Sequence, residues 1–169
     1  MPKTYVELLV NDEPQEFLAQ PGTTLLGALR EELGLTAVKR GCAQGTCGTC
    51  TCLVDGEAVM SCLVPVETIQ GADVHTLEGL AGEGGELDAL QAAFLEGFAT
   101  QCGFCTSGMI MAGQALLAEN PDPSREDVVR AISGNVCRCT GYESIINAIL
   151  DAAQRRKVAG GIQYVERGV

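Results

Sequence analysis

Gly41-Cys-Ala-Gln-Gly-Thr-Cys-Gly-Thr-Cys50 packs Cys42, Cys47 and Cys50 into nine residues, and Cys62 follows after eleven more. Three thiolates this close can surround a small metal centre only if the backbone curls tightly, and Gly41, Gly45 and Gly48 allow that curl. Small residues also let backbone N–H groups approach a negatively charged centre. Between Cys50 and Cys62 lies Asp55-Gly56, a dipeptide suited to a two-residue hairpin turn with positive φ. Strands over Thr51–Val54 and Glu57–Met60 are therefore predicted, and the return strand carries Cys62 back toward the loop. Structural zinc is the plain alternative, but zinc sites more often use two-residue hooks and need no glycine collar.

Working outward, Val6, Leu8 and Val10 alternate with Glu7 and Leu9, Asn11-Asp12 offers a turn, and Gln15–Leu18 supplies a return strand. Thr23 or Thr24 caps a helix through Leu25, Leu26, Leu29 and Leu33 that stops at Gly34. Val74–Leu77 closes the sheet. The glycine-rich stretch from Gly79 to Gly85 changes the pattern and reads as a linker. Helical spacing follows in Leu87, Leu90, Phe94 and Phe98, then in Met109, Ala112, Leu116 and Leu117. Ser124-Arg-Glu-Asp127 resembles a capping box, and Ile145, Ile146, Ile149, Leu150 and Ala153 form a last stripe. The reading is α+β: residues 1–78 strand-rich, residues 79–158 a four-helix domain, and residues 159–169 a flexible tail.

With 22 acidic against 11 basic residues the chain carries a formal charge of −11, which excludes a sequence-independent nucleic-acid binder. At 46% hydrophobic residues it can bury a core, which excludes global disorder. The 22 residues from Gly97 to Ala118 carry no charge, yet four glycines and Thr100, Gln101, Thr106, Ser107 and Gln114 make them too polar and interrupted for a membrane span. No basic flank and long apolar segment precede Tyr5, so a cytoplasmic protein is expected. In a reducing compartment the clustered cysteines among its nine are metal ligands before they are disulfides.

A second quartet, Cys102-x2-Cys105 and, after 31 residues, Cys137-x-Cys139, is on spacing alone open to zinc or iron. The first quartet has the spacing of plant-type ferredoxins, which hold a 2Fe–2S cluster. Around the second, Gln101-Cys-Gly-Phe-Cys-Thr-Ser-Gly108 and Gly134-Asn-Val-Cys-Arg-Cys-Thr-Gly-Tyr142 resemble the two signature stretches of the iron–sulfur subunit of the molybdenum hydroxylases. That family includes xanthine and aldehyde oxidoreductases and carbon monoxide dehydrogenase. The resemblance runs from residue 3 to about residue 155.

The resemblance implies an N-terminal ferredoxin-like β-grasp domain and a C-terminal four-helix bundle, each with one 2Fe–2S cluster. Cys42, Cys47, Cys50 and Cys62 would ligate one; Cys102, Cys105, Cys137 and Cys139 would ligate the other. It further implies that Gln101 and Cys139 touch a molybdopterin cofactor on a large partner subunit, and that electrons pass on to FAD on a medium subunit. The chain itself would catalyse no bond change, and it has no dinucleotide fingerprint of its own. A free-standing ferredoxin shuttle and a zinc-stapled interaction module are the alternatives; the first leaves Gln101 and Cys139 without a cofactor to meet, and the second would be colourless and silent in EPR. Two positions depart from the family pattern. Ser107 replaces a usual proline, so Thr106 or Ser107 is expected to cap the helix instead. Cys52 replaces a usual aliphatic residue and is expected to be a buried strand thiol; His75, the single histidine, is expected to be structural.

Overall fold

The computed structural model describes residues 2–82 and 84–158; the tail expected over 159–169 lies outside the described residues. Two hairpins form as the turn chemistry demands. β1 (Thr4–Val10) and β2 (Glu13–Ala19) are antiparallel, with Val10 opposite Glu13, and Asn11 and Asp12 take φ of 50° and 69° in the turn. β3 (Thr51–Val54) and β4 (Glu57–Met60) join through Asp55 and Gly56 at φ 51° and 86°. Paired positive φ values match the right-handed strand twist, which is why such short residues occupy these turns. β5 is Asp73–His75, shorter than the expected Val74–Leu77 because Leu77–Gly79 turns into a single 3₁₀ turn. β5 runs parallel to β1 and antiparallel to β3, giving a five-stranded mixed sheet in the order β2-β1-β5-β3-β4.

The helix expected through Leu33 forms, but not as one α-helix. α1 (Leu25–Gly27) is capped by Thr24, whose hydroxyl accepts from Gly27 N–H at 3.2 Å, and Ala28–Glu32 continues it as a wider π turn. Leu25, Leu26, Ala28 and Leu29 are all buried, more of the helix's circumference than a 3.6-residue stripe brings to a sheet. Gly34, at φ 71°, ends the segment. Val6, Leu8, Val10, Val54 and Val74 join these residues in the first core.

The second core is helical. α2 (Ala89–Glu96) starts at an Asp88/Gln91 capping box, and α4 (Arg125–Ala131) starts at the expected Ser124/Asp127 box. α3 is Thr106–Glu119 and α5 is Glu143–Val158, so the described residues contain five helices, four of them after residue 88. Leu90, Phe94, Met109, Leu117, Val128, Ile132, Ile145 and Ile149 fill the core between them. At its far end Arg156 of α5 donates to Asp88, 3.1 Å away, and to Gln114 of α3. The stripe expected on α2 is too long at both ends: Leu87 is 50% exposed, and Phe98, at φ 50° beyond the helix, is 83% exposed.

α3 explains the uncharged stretch. Residues 107–114 are buried all round because the helix packs on β3 and β4 as well as on α2, α4 and α5. Gly113 lies where a Cβ would stand 3.3 Å from Ile149, so α3 and α5 meet closely. Among the described residues no helix is long and apolar enough to cross a membrane. The expected side-chain cap of α3 is absent: Thr106 Oγ1 instead bonds Thr100 Oγ1 at 2.9 Å, and Ser107 Oγ is buried without a partner. Packing on both sides holds this helix start where a cap was expected to do so.

Candidate metal centres

The first centre is built by the loop between the π turn and β3, with one contribution from beyond β4. The register Thr51↔Met60 sets Cys50 and Cys62 side by side at the open end of the hairpin, Cys62 lying in a 3₁₀ turn at Ser61–Leu63. Ser61 locks that end, donating its hydroxyl to Cys50 O at 2.8 Å. Around the loop, Cys42 Sγ accepts from the N–H groups of Gln44 at 3.5 Å and Thr46 at 3.3 Å. The Thr46 hydroxyl and these two amides hold the Cys42 thiol down at about 6, which favours the thiolate a metal needs. Burial first, then the neighbouring Cys50, pushes Cys62 up to about 11. The glycines are required by contact as well as by conformation. A Cβ on Gly41 would sit 2.8 Å from Cys47 Sγ, and one on Gly45, at φ 77°, would strike Leu63.

The second centre is assembled from two distant segments. Cys102 and Cys105 bracket Gly103-Phe104 just before α3, the turn resting on Gly103 at φ 79° and a Thr106 N–H to Gly103 O bond. Cys137 and Cys139 come from the loop between α4 and α5. Cys139 Sγ lies 3.6 Å from Cys102 Sγ, and Cys105 and Cys137 are hydrogen-bonding neighbours. Burial, then the contact with Cys137, pushes Cys105 up to about 12. At Cys137 burial acts upward, but the Thr140 hydroxyl and the N–H groups of Thr140 and Cys139 outweigh it and hold the thiol below its ordinary value. Cys139 is raised, chiefly by its bond to Cys102.

Both quartets therefore divide into two pairs: Cys42 with Cys47 and Cys50 with Cys62, Cys102 with Cys139 and Cys105 with Cys137. Among the described residues no three thiols, carboxylates or imidazoles close on a single ion position. Two pairs suit a centre of two metals that each take two thiolates, whereas a structural zinc needs four ligands around one point. The donor set is all sulfur, which is the ligand chemistry of iron–sulfur clusters.

The two centres are joined. Val136 N–H donates to Cys47 O at 2.9 Å, so the residue before one ligand bonds a ligand of the other set. Buried Asn135 donates through Nδ2 to Gly48 O at 2.9 Å and to Thr51 Oγ1 at 3.3 Å. Here the two halves meet main chain to main chain: a Cβ on Gly108 would fall 2.4 Å from Gly48 O, and one on Gly48 would fall 2.5 Å from Gly134 O.

Two family models match successive, slightly overlapping parts of the chain. Residues 8–81 match the 2Fe-2S iron-sulfur cluster binding domain, and residues 76–150 match a second family model, the 2Fe-2S binding domain. The chain is 44% identical over 155 residues to the nicotinate dehydrogenase small FeS subunit of Eubacterium barkeri, covering 92% of this chain and 98% of that one. The chain belongs to the small iron–sulfur subunits of the molybdenum hydroxylase family. Among solved structures of such proteins, a chain of quinoline 2-oxidoreductase from Pseudomonas putida 86 superposes with a TM-score of 0.89 at 45% identity, covering 96% of this chain and all of that one. In the aldehyde oxidoreductase of Desulfovibrio desulfuricans ATCC 27774 (TM-score 0.87, 41% identity) the match covers 91% of this chain but 17% of the other, which is a far longer polypeptide. As an iron–sulfur subunit of this family the chain is the non-catalytic redox component of an oxidoreductase.

Against this geometry the sequence-derived site residues fall in three groups. The eight paired cysteines are brought into two clusters, and exposed Gln101 stands beside exposed Cys102 at the end of the helical half that also shows Cys139. Cys52 is the buried strand thiol that was expected: it is fully buried in β3, and burial pushes its thiol up to about 12. His75 bonds Asp73 within its own strand at 3.1 Å. Asn135, Thr140 and Tyr142 were missed as functional residues. They stand in the quoted signature, yet their partners lie in the fold, as when Tyr142 OH accepts from Cys137 N–H at 2.9 Å and donates to Asn135 O at 3.2 Å.

Proposed function

We propose that the chain relays electrons one at a time through two 2Fe–2S clusters, from a molybdopterin centre on a large partner subunit to FAD on a medium one. Cys102, Cys105, Cys137 and Cys139 would hold the first acceptor, and Cys42, Cys47, Cys50 and Cys62 the second. When bound, each cluster stores and releases a single electron, so the pair splits a two-electron oxidation into single steps. The carrying observation is the 2.9 Å bond from Val136 N–H to Cys47 O, which ties the two quartets into one body. What the protein contributes is position: Ser61 and the Thr51↔Met60 register fix Cys50 and Cys62, and Tyr142 fixes Cys137.

Exposure supports this direction. Cys102 and Cys139 are exposed with Gln101 beside them, whereas Cys50, Cys62 and Cys137 are buried. The exposed end of the helical half is the side on which a partner's cofactor would approach Gln101 and Cys139. Residues 1–78 would serve as the ferredoxin-like β-grasp domain and 79–158 as a four-helix bundle, in a hetero-oligomer of the cytoplasm, where free thiols stay reduced.

The test is analysis of the intact complex. About four iron and four acid-labile sulfide per copy of this chain, with two distinct reduced-cluster EPR signals, are expected. Substrate should reduce both clusters in the native complex, and Cys105→Ser should stop reduction of the ferredoxin-like cluster and the flavin. Zinc without labile sulfide would overturn the reading.

A further inference from the structure

Each quartet has a sulfur beside the hydroxyl of a threonine two or three residues further on. Cys47 Sγ lies 3.2 Å from Thr49 Oγ1, and Cys137 Sγ lies 3.2 Å from Thr140 Oγ1. The distances are equal, but the supply of protons is not. A hydroxyl has one proton and two lone pairs, and a metal-bound cysteine is a thiolate with none, so such a bond must use the threonine's proton. Thr49 Oγ1 also lies 3.3 Å from Lys39 O, a group that can only accept, and its one proton is contested. Thr140 Oγ1 accepts the Tyr142 N–H at 3.2 Å, which occupies a lone pair and leaves the proton for Cys137.

Tyr142 is itself held in place. Its backbone takes φ 70°, and its hydroxyl bridges Cys137 N–H and Asn135 O. Asn135 is in turn anchored on Gly48 across the interface of the two halves. The orientation of the Thr140 hydroxyl is thus a product of the fold. The first centre draws on further donors at a separate sulfur: the Thr46 hydroxyl and two main-chain N–H groups, from Gln44 and Thr46, reach Cys42.

The geometry points to Thr140 as the residue that sets the potential of the second centre, by donating its hydroxyl proton to Cys137 Sγ, with Tyr142 as the positioning residue that turns the hydroxyl. The inference rests on Cys137 being a cluster ligand. Reduction adds one electron to the cluster, with no bond formed or broken. A donor on a ligand sulfur stabilises the more negative form, and so raises the potential.

The experiment is an EPR-monitored redox titration of the holo complex carrying Thr140→Val, Thr140→Ser or Thr49→Val, with iron analysis of each. Thr140→Val is expected to keep its full iron while the midpoint of the second cluster moves down. At an ambient potential near the native midpoint, its reduced fraction falls several-fold. The first cluster stays unmoved, Thr140→Ser restores the native value, and Thr49→Val shifts the first cluster less. An iron-replete Thr140→Val with an unmoved second midpoint overturns the proposal, as does an equal shift from Thr49→Val. Where Thr140→Val loses iron, Thr140→Ala decides on the same criteria. A Cys137→Ser complex that keeps both EPR signals would instead overturn the ligand assignment beneath it.

Discussion

The two thiol quartets reach similar ends by unlike routes. The first is a product of local chain geometry: a glycine-bearing loop, one hairpin and one 3₁₀ turn bring residues 42 to 62 together at the open end of the β3–β4 hairpin. The second joins a turn before α3 to a loop after α4, and exists only once the helical core has packed. A centre built from contiguous chain depends on conformation, whereas one built from distant segments depends on packing. The two centres should therefore fail in different ways.

The sharpest break is ligand removal. Cys47→Ser should empty the first centre and Cys105→Ser the second, each lowering iron from about four to about two per chain. Loss of all iron from either variant would mean that the centres cannot be filled separately. Next in size is the seam. Gly48→Ala and Gly108→Ala push a Cβ to within 2.5 Å and 2.4 Å of a carbonyl oxygen in the opposite half. Each should cost at least about 3 kcal/mol, at the upper end for overpacking, in denaturant unfolding of the assembled chain. Gly56→Ala, whose Cβ meets nothing within 4 Å, carries only the strain of φ 86° and should cost less.

A milder contrast lies in thiol chemistry. In metal-stripped protein near pH 7.5, iodoacetamide should label Cys42, held at about 6, well before Cys62, pushed up to about 11. Peptide mass spectrometry reads the order. The sign of the linkage follows: the Cys42 thiolate stabilises the metal-free fold above the ordinary thiol pKa, and that contribution fades as pH falls through about 6. The smallest effect is expected at Cys52→Ala, which should keep all iron and lose about 1–2 kcal/mol from a shrunken core contact. A lost cluster there would make Cys52 a ligand.

What could be read without coordinates followed the same divide. Asp55-Gly56, Asn11-Asp12 and the Ser124/Asp127 box are decided within a few residues, and each formed where the local chemistry placed it. The cysteine spacings were legible too, because metal geometry constrains them directly. Contacts between halves were not. Asn135 meets Gly48 across 87 positions, and nothing adjacent to either residue announces the other. The apolar spacing of Leu87 and Phe98 gave no warning that α2 spans only Ala89–Glu96 and leaves both side chains outside the core. Ser107 misled for a related reason: in a helix held from both sides, a hydroxyl near the N-terminus need not cap anything.

The all-round burial of α3 has a consequence for how the chain comes apart. A helix that sits in the helical core and packs its other side on β3 and β4 cannot leave one half without baring the other, so the two halves should melt together while α3 stays in place. Calorimetry of the chain should accordingly show one transition. The spacing between the two centres is then a constant of the folded state, and making the solvent more viscous should leave the electron hop between them at its original speed.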